Sequence, residues 1–443
     1  MPHCTARRLK AAPRLPKHQA PPPCLMHAAG SMNHAVAASP LIDVDALRVG
    51  MFVHLDGGWL SHPFALSNFR IASPDQLSRI RGLGLQRVRW NPALSDAAAE
   101  PPPAPPVPAA TPVVRAVADA AGARRAALAG QRERLRVCEQ QFAEAAHESK
   151  QIFDAAEAEP QVAAARAEAL AGALVDKMIG EPELCIRLLG NAGGDKASAH
   201  AVNVGVVSLL MGRALGLDST ELRELGIGAL LHDIGKYSLP ARLRQRDELR
   251  GHEAHVARGV LQARRMGLGD AATMVIAQHH EHADGSGFPL RIGGERMSVG
   301  SRIVALVNRY DELCNPGPAA HACTPHEAVA LLFAQGQNRF DGALLGTFIR
   351  MIGVYPPGST VQLTDTRFAL VVGINSSRPL KPRVLVHEPG VPRDEALILD
   401  LERQPGLGVL RSIKTAALPQ ASFEYLAPRP RISWFFEPTA LAA

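Results

Sequence analysis

The sequence predicts a mainly α protein: a helical bundle preceded by a small α+β module and followed by a small β domain. Three observations predict it. From about residue 190 to 353, apolar side chains recur at three- and four-residue spacing, the pattern of buried helix faces. Before residue 95 and after residue 356 the pattern shortens to period-two runs, the mark of strands. Between the first strands and the bundle, residues 115 to 189 are rich in Ala, Arg, Glu, Gln and Leu, with no glycine between Gly130 and Gly172. That composition favours helix.

Taken in order, residues 1–40 form a basic leader expected to be disordered. Residues 41–95 form the α+β module, with strands in "LRVGMFVHL", "FRIAS" and "QRVRW". Its helix starts at "SPDQ": Ser73 as cap, Pro74 in the first turn and Gln76 closing a capping box, running to about Leu83. Residues 96–114, "AAAEPPPAPPVPAATP" and its flanks, form a stiff Pro/Ala linker. Residues 115–189 read as a helical connector, a candidate surface for a homodimer, though its heptads are too alanine-rich for a coiled coil. The bundle follows over 190–355 and contains "HAVNVGVVSLLMGRALGL", "LRELGIGALLHDIGK", "ATMVIAQHHE", "RIVALVNRYDEL" and "TPHEAVALLFAQ". The last opens with a second capping box, Thr324 with Glu327. Residues 356–443 carry the strands "TVQL", "FALVVGI", "RVLVHE", "ALILDLE" and "ISWFFE".

Charge and cysteine usage narrow the function classes. The net charge is +6, but Arg7, Arg8, Lys10, Arg14 and Lys17 precede the first acid, Asp43, so the leader holds most of the excess. The body is near neutral and lacks a basic stripe interleaved with aromatics, which speaks against a nucleic-acid partner. The leader lacks the apolar run of about 7 to 15 residues of a secretory signal. No window approaches the roughly 18 apolar residues of a membrane span. Six scattered cysteines without a CxxC pair fit reduced thiols in a cytoplasm.

The histidines carry the chemistry. Nine of 17 fall between His200 and His326. His200, His232 beside Asp233, His255, and the pair His279–His280 lie on or at the end of different predicted helices, which a bundle could bring together around a divalent metal. Adjacent His232 and Asp233 would stand about 100° apart on a continuous helix and could not both face one ion. Asp233, with two oxygens, could instead bridge two ions about 3.5 to 4 Å apart, which hold a hydroxide at neutral pH and neutralise a phosphoryl group. Lys236, one turn beyond His232, offers a point charge to a phosphate. Gly285 and Gly287 read as turn residues, since "DGSG" lacks a P-loop frame. His321 and His326 read as surface or helix-start residues, and Cys314 and Cys323 as buried or free thiols.

With these motifs in view, residues 190–355 resemble the HD-GYP family, a branch of the HD-domain metal-dependent phosphohydrolases. "HAVNV", "LLHDIGK" with Pro240, "HVARG", "HHEHADGSGFP", "RIVALVNRYDEL" and "FIRMIGVYPPGSTVQL" follow the family's motifs in order. Residues 41–95 resemble a small domain of unknown function that often precedes HD-GYP domains. The resemblance implies a phosphodiesterase that hydrolyses cyclic di-GMP to pGpG or GMP at a centre of iron or manganese. By position it makes His200, His232, Asp233, His255, His279, His280 and Asn308 the metal residues. Asp233 and Lys236 become the catalytic pair. Lys236, Asp284, Gly285, Gly287, Phe288, Pro289 and Arg302 become substrate contacts. The loop around Phe288 would also meet partner proteins such as diguanylate cyclases or effectors.

The sequence departs from the family at several positions. Asn308 stands where the family has a metal-binding Asp; its amide oxygen can ligate but brings no charge. Lys196 stands where three-metal members have Glu, so two metals are expected. Phe288 replaces a Tyr, and His282, expected to face outward, replaces an Arg. The stretch from His232 to His255 is shorter than usual, and His252, one turn before His255, is a competing ligand. These departures keep an alternative open: a weak or inactive regulator that binds cyclic di-GMP or a partner protein at a degenerate site.

Overall fold

The structure, a computed structural model, describes residues 40–55, 68–83, 85–96, 112–181, 183–190, 193–237, 253–317, 322–336, 338–375 and 379–438. The leader before residue 40, the linker stretch 97–111, Pro240, His252 and His321 lie outside them. The chain divides into two compact units, with residues 40–55 and 68–96 in the first and 112–438 in the second.

In the first unit β1 (Leu41–Asp43), β2 (Phe52–His54), β3 (Asn68–Arg70) and β4 (Arg87–Asn91) form an antiparallel sheet in the order β1-β4-β2-β3. Helix α1 (Pro74–Gly82) starts at the expected residue, with the Ser73 side chain accepting from Gln76 N. Gln76 reaches back one residue further than a capping box requires, to Ala72 N at 2.8 Å. Leu47, Val53, Leu55, Ile71, Ile80 and Val88 are buried in the unit's core.

The second unit opens with α2 (Pro112–Ala155) and α3 (Pro160–Ile179), the expected connector helices. Their inner face is not free: Phe142, Ala145, Ile152, Ala167, Leu170 and Leu174 share one core with the bundle. Here the structure corrects the reading of continuous helix to 189. After Gly180, Leu184–Leu188 forms a strand, β5, buried along its whole length. A strand covered on both faces shows no alternation of buried and exposed residues, and this one, LCIRL, buries even Arg187. The bundle comprises α4 (Lys196–Ala214), α5 (Ser219–Leu231), α6 (Glu253–Met266), α7 (Asp270–Gln278), α8 (Val299–Cys314), α9 (Pro325–Gly336) and α10 (Gly342–Ile352). Helix α4 is its central member, buried nearly continuously from Ala201 to Gly212. Asp218 and Glu221 form a complete capping box on α5, and Thr324 with Glu327 forms the expected one on α9.

The C-terminal strands are β6 (Thr360–Leu363), β7 (Phe368–Asn375), β8 (Arg383–Val386), β9 (Ile398–Asp400), β10 (Val409–Ser412) and β11 (Trp434–Pro438), with α11 (Gln420–Leu426) before the last. They share one sheet with β5: β7 pairs β5, β6 and β8, and β11 pairs β5. They also share the bundle's core. Trp434 is fully buried and stacks on Tyr310 of α8 at 5.3 Å, and Tyr310 meets Phe348 of α10 edge-on. Full burial of one such aromatic is worth roughly 2 to 3 kcal/mol. No helix among the described residues is long and apolar enough to cross a membrane.

Candidate metal centre

Helix ends aim the histidines. His200 lies in the first turns of α4, whose start is fixed by Asp195 accepting from Ala197 N and Ser198 N. Helix α5 stops at Leu231, so His232 is its C-cap and Asp233 falls outside it, ahead of a 3-10 turn over Ile234–Lys236. This corrects the continuous-helix expectation: the break lets both side chains reach one cluster. Gly235 makes the turn possible. A Cβ there would collide with the carbonyl oxygen of His255 and lie 2.5 Å from Gly259 N, so only glycine lets the turn rest on α6. That contact sets His255 beside Asp233. His279 caps the C-terminus of α7, and His280 follows it.

Around Asp233 the five histidines sort into two groups. Oδ1 faces His255 Nε2 at 3.4 Å and His279 Nε2 at 3.7 Å. Oδ2 faces His232 Nε2 at 3.6 Å and His200 Nε2 at 3.8 Å. The two sets able to hold an ion are Asp233, His255, His279 and His280, and His200, His232 and Asp233. Asp233 belongs to both. Lys236 Nζ donates to Asp233 Oδ2 at 2.5 Å, so in this structure the lysine sits on the shared carboxylate.

The donor set fits a metal. His232 and His279 donate Nδ1–H to the carbonyls of Ala229 and Ile276, at 2.7 and 2.8 Å. His200 donates Nδ1–H to Asp311 Oδ2 at 2.6 Å. Neutral rings held this way carry lone pairs on Nε2. The Nε2 atoms of His200 and His232 lie 3.1 Å apart, so with both rings neutral two lone pairs face each other. Asp233 Oδ1 is buried without a hydrogen-bond donor. A cation on each side of Asp233 would satisfy these atoms.

Electrostatics favour neutral rings at His232 and His280 and oppose a neutral ring at His200. Burial, helped by the neighbouring histidines and opposed by Asp233, pushes His232 and His280 well below the usual imidazole range, which keeps them in the neutral, ligating form. Burial also acts to lower His200, but the hydrogen bond and charge of Asp311 outweigh it and the net shift is upward. Burial would raise Asp233; Lys236 and the surrounding histidines override it and hold the carboxyl well below its ordinary value.

The glycine-rich loop closes one side. Phe288 stacks on His280, with centroids 4.5 Å apart and the planes 23° from parallel. Gly285 adopts φ 74°, the expected turn. Gly287 serves close approach: a Cβ there would collide with His282 N and stand 2.5 Å from Glu281 Cα and His280 O. Asp284 accepts from Ser286 N at 2.9 Å and shapes the turn, while Pro289 at the loop's tip is exposed. His282 is not turned outward as expected: it is half-buried, 3.0 Å from Ser286 Oγ and edge-on to Phe340. Arg302, the phosphate holder that the resemblance implies, pairs with Asp341 at 2.6 Å. Asn308 is buried, donating from Nδ2 to Glu312 Oε1 at 3.3 Å, with Oδ1 buried and without a hydrogen-bond donor. His326, at the start of α9, donates to Val354 O and stacks on Tyr355. Cys314 is buried and free, and Cys323 partly exposed and free.

Sequence reasoning missed two acids. Glu281 is fully buried and accepts from Leu290 N at 2.6 Å and Ile292 N at 3.1 Å, pinning the loop. Asp311 orients His200. Its position one turn after Asn308 on the same helix face was the available signal.

A helical bundle holding five histidines around one shared aspartate is a metal-dependent HD-domain protein. Residues 186–344 match the family described as HD domain, and residues 41–167 match DUF3391, a domain of unknown function. Residues 186–344 thus carry an HD domain, with a DUF3391 match ahead of it in the chain, and the motifs of the HD domain are similar to those of its HD-GYP branch. It is similar to the cyclic di-GMP phosphodiesterase PA4108 of Pseudomonas aeruginosa, 29% identical over 370 residues, 78% of this chain and 84% of that protein. It is also similar to the cyclic di-GMP phosphodiesterase response regulator RpfG of Xanthomonas campestris pv. campestris, 30% identical over 161 residues, 34% of this chain and 43% of that one. Among solved structures, Bd1817, an HDG"Y"P protein from Bdellovibrio bacteriovorus, overlaps 70% of this chain and 97% of its own at a TM-score of 0.36 and 15% identity. That overlap is too low to bear on this fold.

Proposed function

We propose that this chain is a metal-dependent phosphodiesterase that hydrolyses cyclic di-GMP to pGpG or GMP. The observation that carries the reading is the division of the histidines between the two oxygens of Asp233, a donor set for two divalent ions. The relatives named above supply the substrate class. Iron or manganese suits the mixed imidazole and carboxylate donors.

His200 and His232 would hold one ion, His255, His279 and His280 the other, with Asp233 between them. Bound there, the ions supply Lewis acidity toward a phosphoryl oxygen and an acidified water for in-line attack. The chain's own residues do the rest. Asp233 keeps its charge because Lys236 and the histidines favour the ionised form, so it can serve both ions. Lys236 Nζ, which reaches Asp233 in the cluster, is the cation among the described residues that we assign to an incoming phosphate, and its point charge needs no fixed orientation. Phe288 presents an aromatic face beside His280 on which a base could stack. Gly287 and Glu281 hold that loop against the centre.

The test is a turnover assay of the full chain with its metal quantified. Protein loaded with Fe(II) or Mn(II) should convert cyclic di-GMP to pGpG or GMP, and His232→Ala should abolish turnover. Absence of turnover at full metal occupancy would refute the reading and favour the second one, a degenerate regulator. Asn308, uncharged and hydrogen-bonded to Glu312, is the observation behind that alternative.

A further inference from the structure

Beyond the ligands, the structure holds a buried polar chain that runs from His200 to the C-terminal strand. Asp311 is 1% exposed and accepts on both oxygens. Oδ2 receives His200 Nδ1 at 2.6 Å; Oδ1 receives Asn203 Nδ2 at 2.8 Å and Asn315 Nδ2 at 2.9 Å. The same two amides also donate to the carbonyl of Ile432, at 3.0 and 2.8 Å. In return Asn315 Oδ1 accepts from Ile432 N at 2.8 Å, and Asn203 Oδ1 accepts from Trp434 N at 3.3 Å. Each amide therefore uses its oxygen on the strand and its nitrogen on both Asp311 and the strand, which fixes its orientation. Trp434 itself is clamped by Tyr310 on α8 and by its Nε1 donating to Pro357 O at 3.0 Å. Ile432 and Trp434 lie outside residues 186–344, the stretch that matches the HD domain.

We propose that Asp311 is a positioning residue that holds His200 as its Nδ1–H tautomer, and that Ile432 and Trp434, working through Asn203 and Asn315, keep Asp311 in place. The His200–His232–Asp233 group is thus completed by a segment beyond the HD domain, while the His255–His279–His280 group is independent of it. The inference rests on the metal-centre reading given above. A carboxylate is required at 311 because it must accept from three donors and give none. An asparagine at 311 facing the same two amides would turn its NH2 toward His200 Nδ1. His200 would then have to carry its proton on Nε2, the atom that faces the ion. Swapping a carboxylate for its amide behind a histidine selects the wrong tautomer in this manner.

The experiment measures metal content and histidine tautomers in the full chain. Wild type should bind two Mn(II) per chain. Asp311→Asn should keep one ion at unchanged affinity and bind the other 10- to 100-fold more weakly, the usual effect of losing a partner behind a ligand. In metal-free protein, 15N spectra should show His200 protonated at Nδ1 in wild type and at Nε2 in Asp311→Asn. Asn315→Ala, a milder change at a half-buried position, should weaken the same ion by about three- to tenfold. It also stands in for Asp311→Asn should that variant not fold. Two ions at wild-type affinity in both variants, or loss of both ions together, would overturn the proposal. So would a His200 tautomer that is Nε2–H in wild type. A wild type that binds no Mn(II) would instead refute the metal-centre reading, while the tautomer spectra would still decide the role of Asp311.

Discussion

Replacing Asn308 by Asp should destabilise the metal-free protein and strengthen the metal-bound one. Both effects follow from the side chain's surroundings. Asn308 is 3% exposed and donates to Glu312 Oε1 at 3.3 Å. An aspartate has no proton to give, so the contact becomes a like-charge pair. At an effective dielectric of about 20, two unit charges at that separation repel by roughly 5 kcal/mol, an upper bound. Glu312 is only partly buried and can rotate away, which leaves the cost of a buried, unpaired carboxylate, about 2 to 3 kcal/mol. For a unit of this size the thermal midpoint in chelator should fall by several degrees. The resemblance counts position 308 among the metal residues, so with metal bound the new charge would gain a partner. Each tenfold gain in affinity adds about 1.4 kcal/mol of stabilisation at saturating metal, so the gap between variant and wild type should close or reverse. Thermal scans of both proteins, in chelator and in excess Mn(II), test this directly. A variant as stable as wild type in chelator, or one whose metal-induced shift is no larger, would show that position 308 does not face the centre.

Three further outcomes are expected. Asp233→Ala should leave neither ion bound, whereas His255→Ala should remove one and keep the other; elemental analysis of dialysed protein distinguishes the two. Gly287→Ala should lower turnover by about a hundredfold while metal content stays at two ions, because the added Cβ must push the loop about 1 Å from backbone atoms that cannot yield. Wild-type turnover in this variant would remove the loop from the site. Lys177, buried beside Gln141 and Phe435, is lowered from its ordinary 10.5 to about 7 by burial. Its folded value lies below its unfolded one, so its cost to stability is full below pH 7 and fades as pH rises toward 10.5. Lys177→Met should therefore stabilise the protein at pH 6, by at most about 5 kcal/mol, and by little above pH 10.5. Denaturant titrations at the two pH values check it, and an equal effect at both would refute it.

Much of the site was legible because metal chemistry restricts residue types. Histidine and aspartate at the ends of apolar helices have few other uses, so the residues that cluster around Asp233 could be picked out in the sequence as candidate ligands. What could not be read were the groups that act through backbone. Gly235 matters because of the carbonyl of His255, about 20 residues on in sequence, and Glu281 matters because of two amides in the loop that follows it. Neither relation leaves a periodic trace. The strand at Leu184–Leu188 was hidden for a related reason: its partners, β7 and β11, lie far along the chain, and its burial on both faces erases the alternation that marks a strand. The helix end at Leu231 was also unreadable, since "GALLHDIGK" continues a good helical pattern and only the tight seat of Gly235 on α6 ends it.

The two halves of the centre are built unequally, and that bears on control. The Asp233–His255–His279–His280 group has four donors carried by α6, by the end of α7 and by the turn after α5, all close in the chain. The His200–His232–Asp233 group has three, and its first ligand depends on a carboxylate tied to residues more than 100 positions later. Metal occupancy should therefore be lost from the second group first, whether by dilution, by chelation or by strain on the C-terminal sheet. On the proposed two-ion reading hydrolysis needs both ions, whereas binding of a cyclic dinucleotide needs fewer contacts. Loosening of Ile432 and Trp434 would thus convert a hydrolase into a binder without touching a residue that contacts the ions.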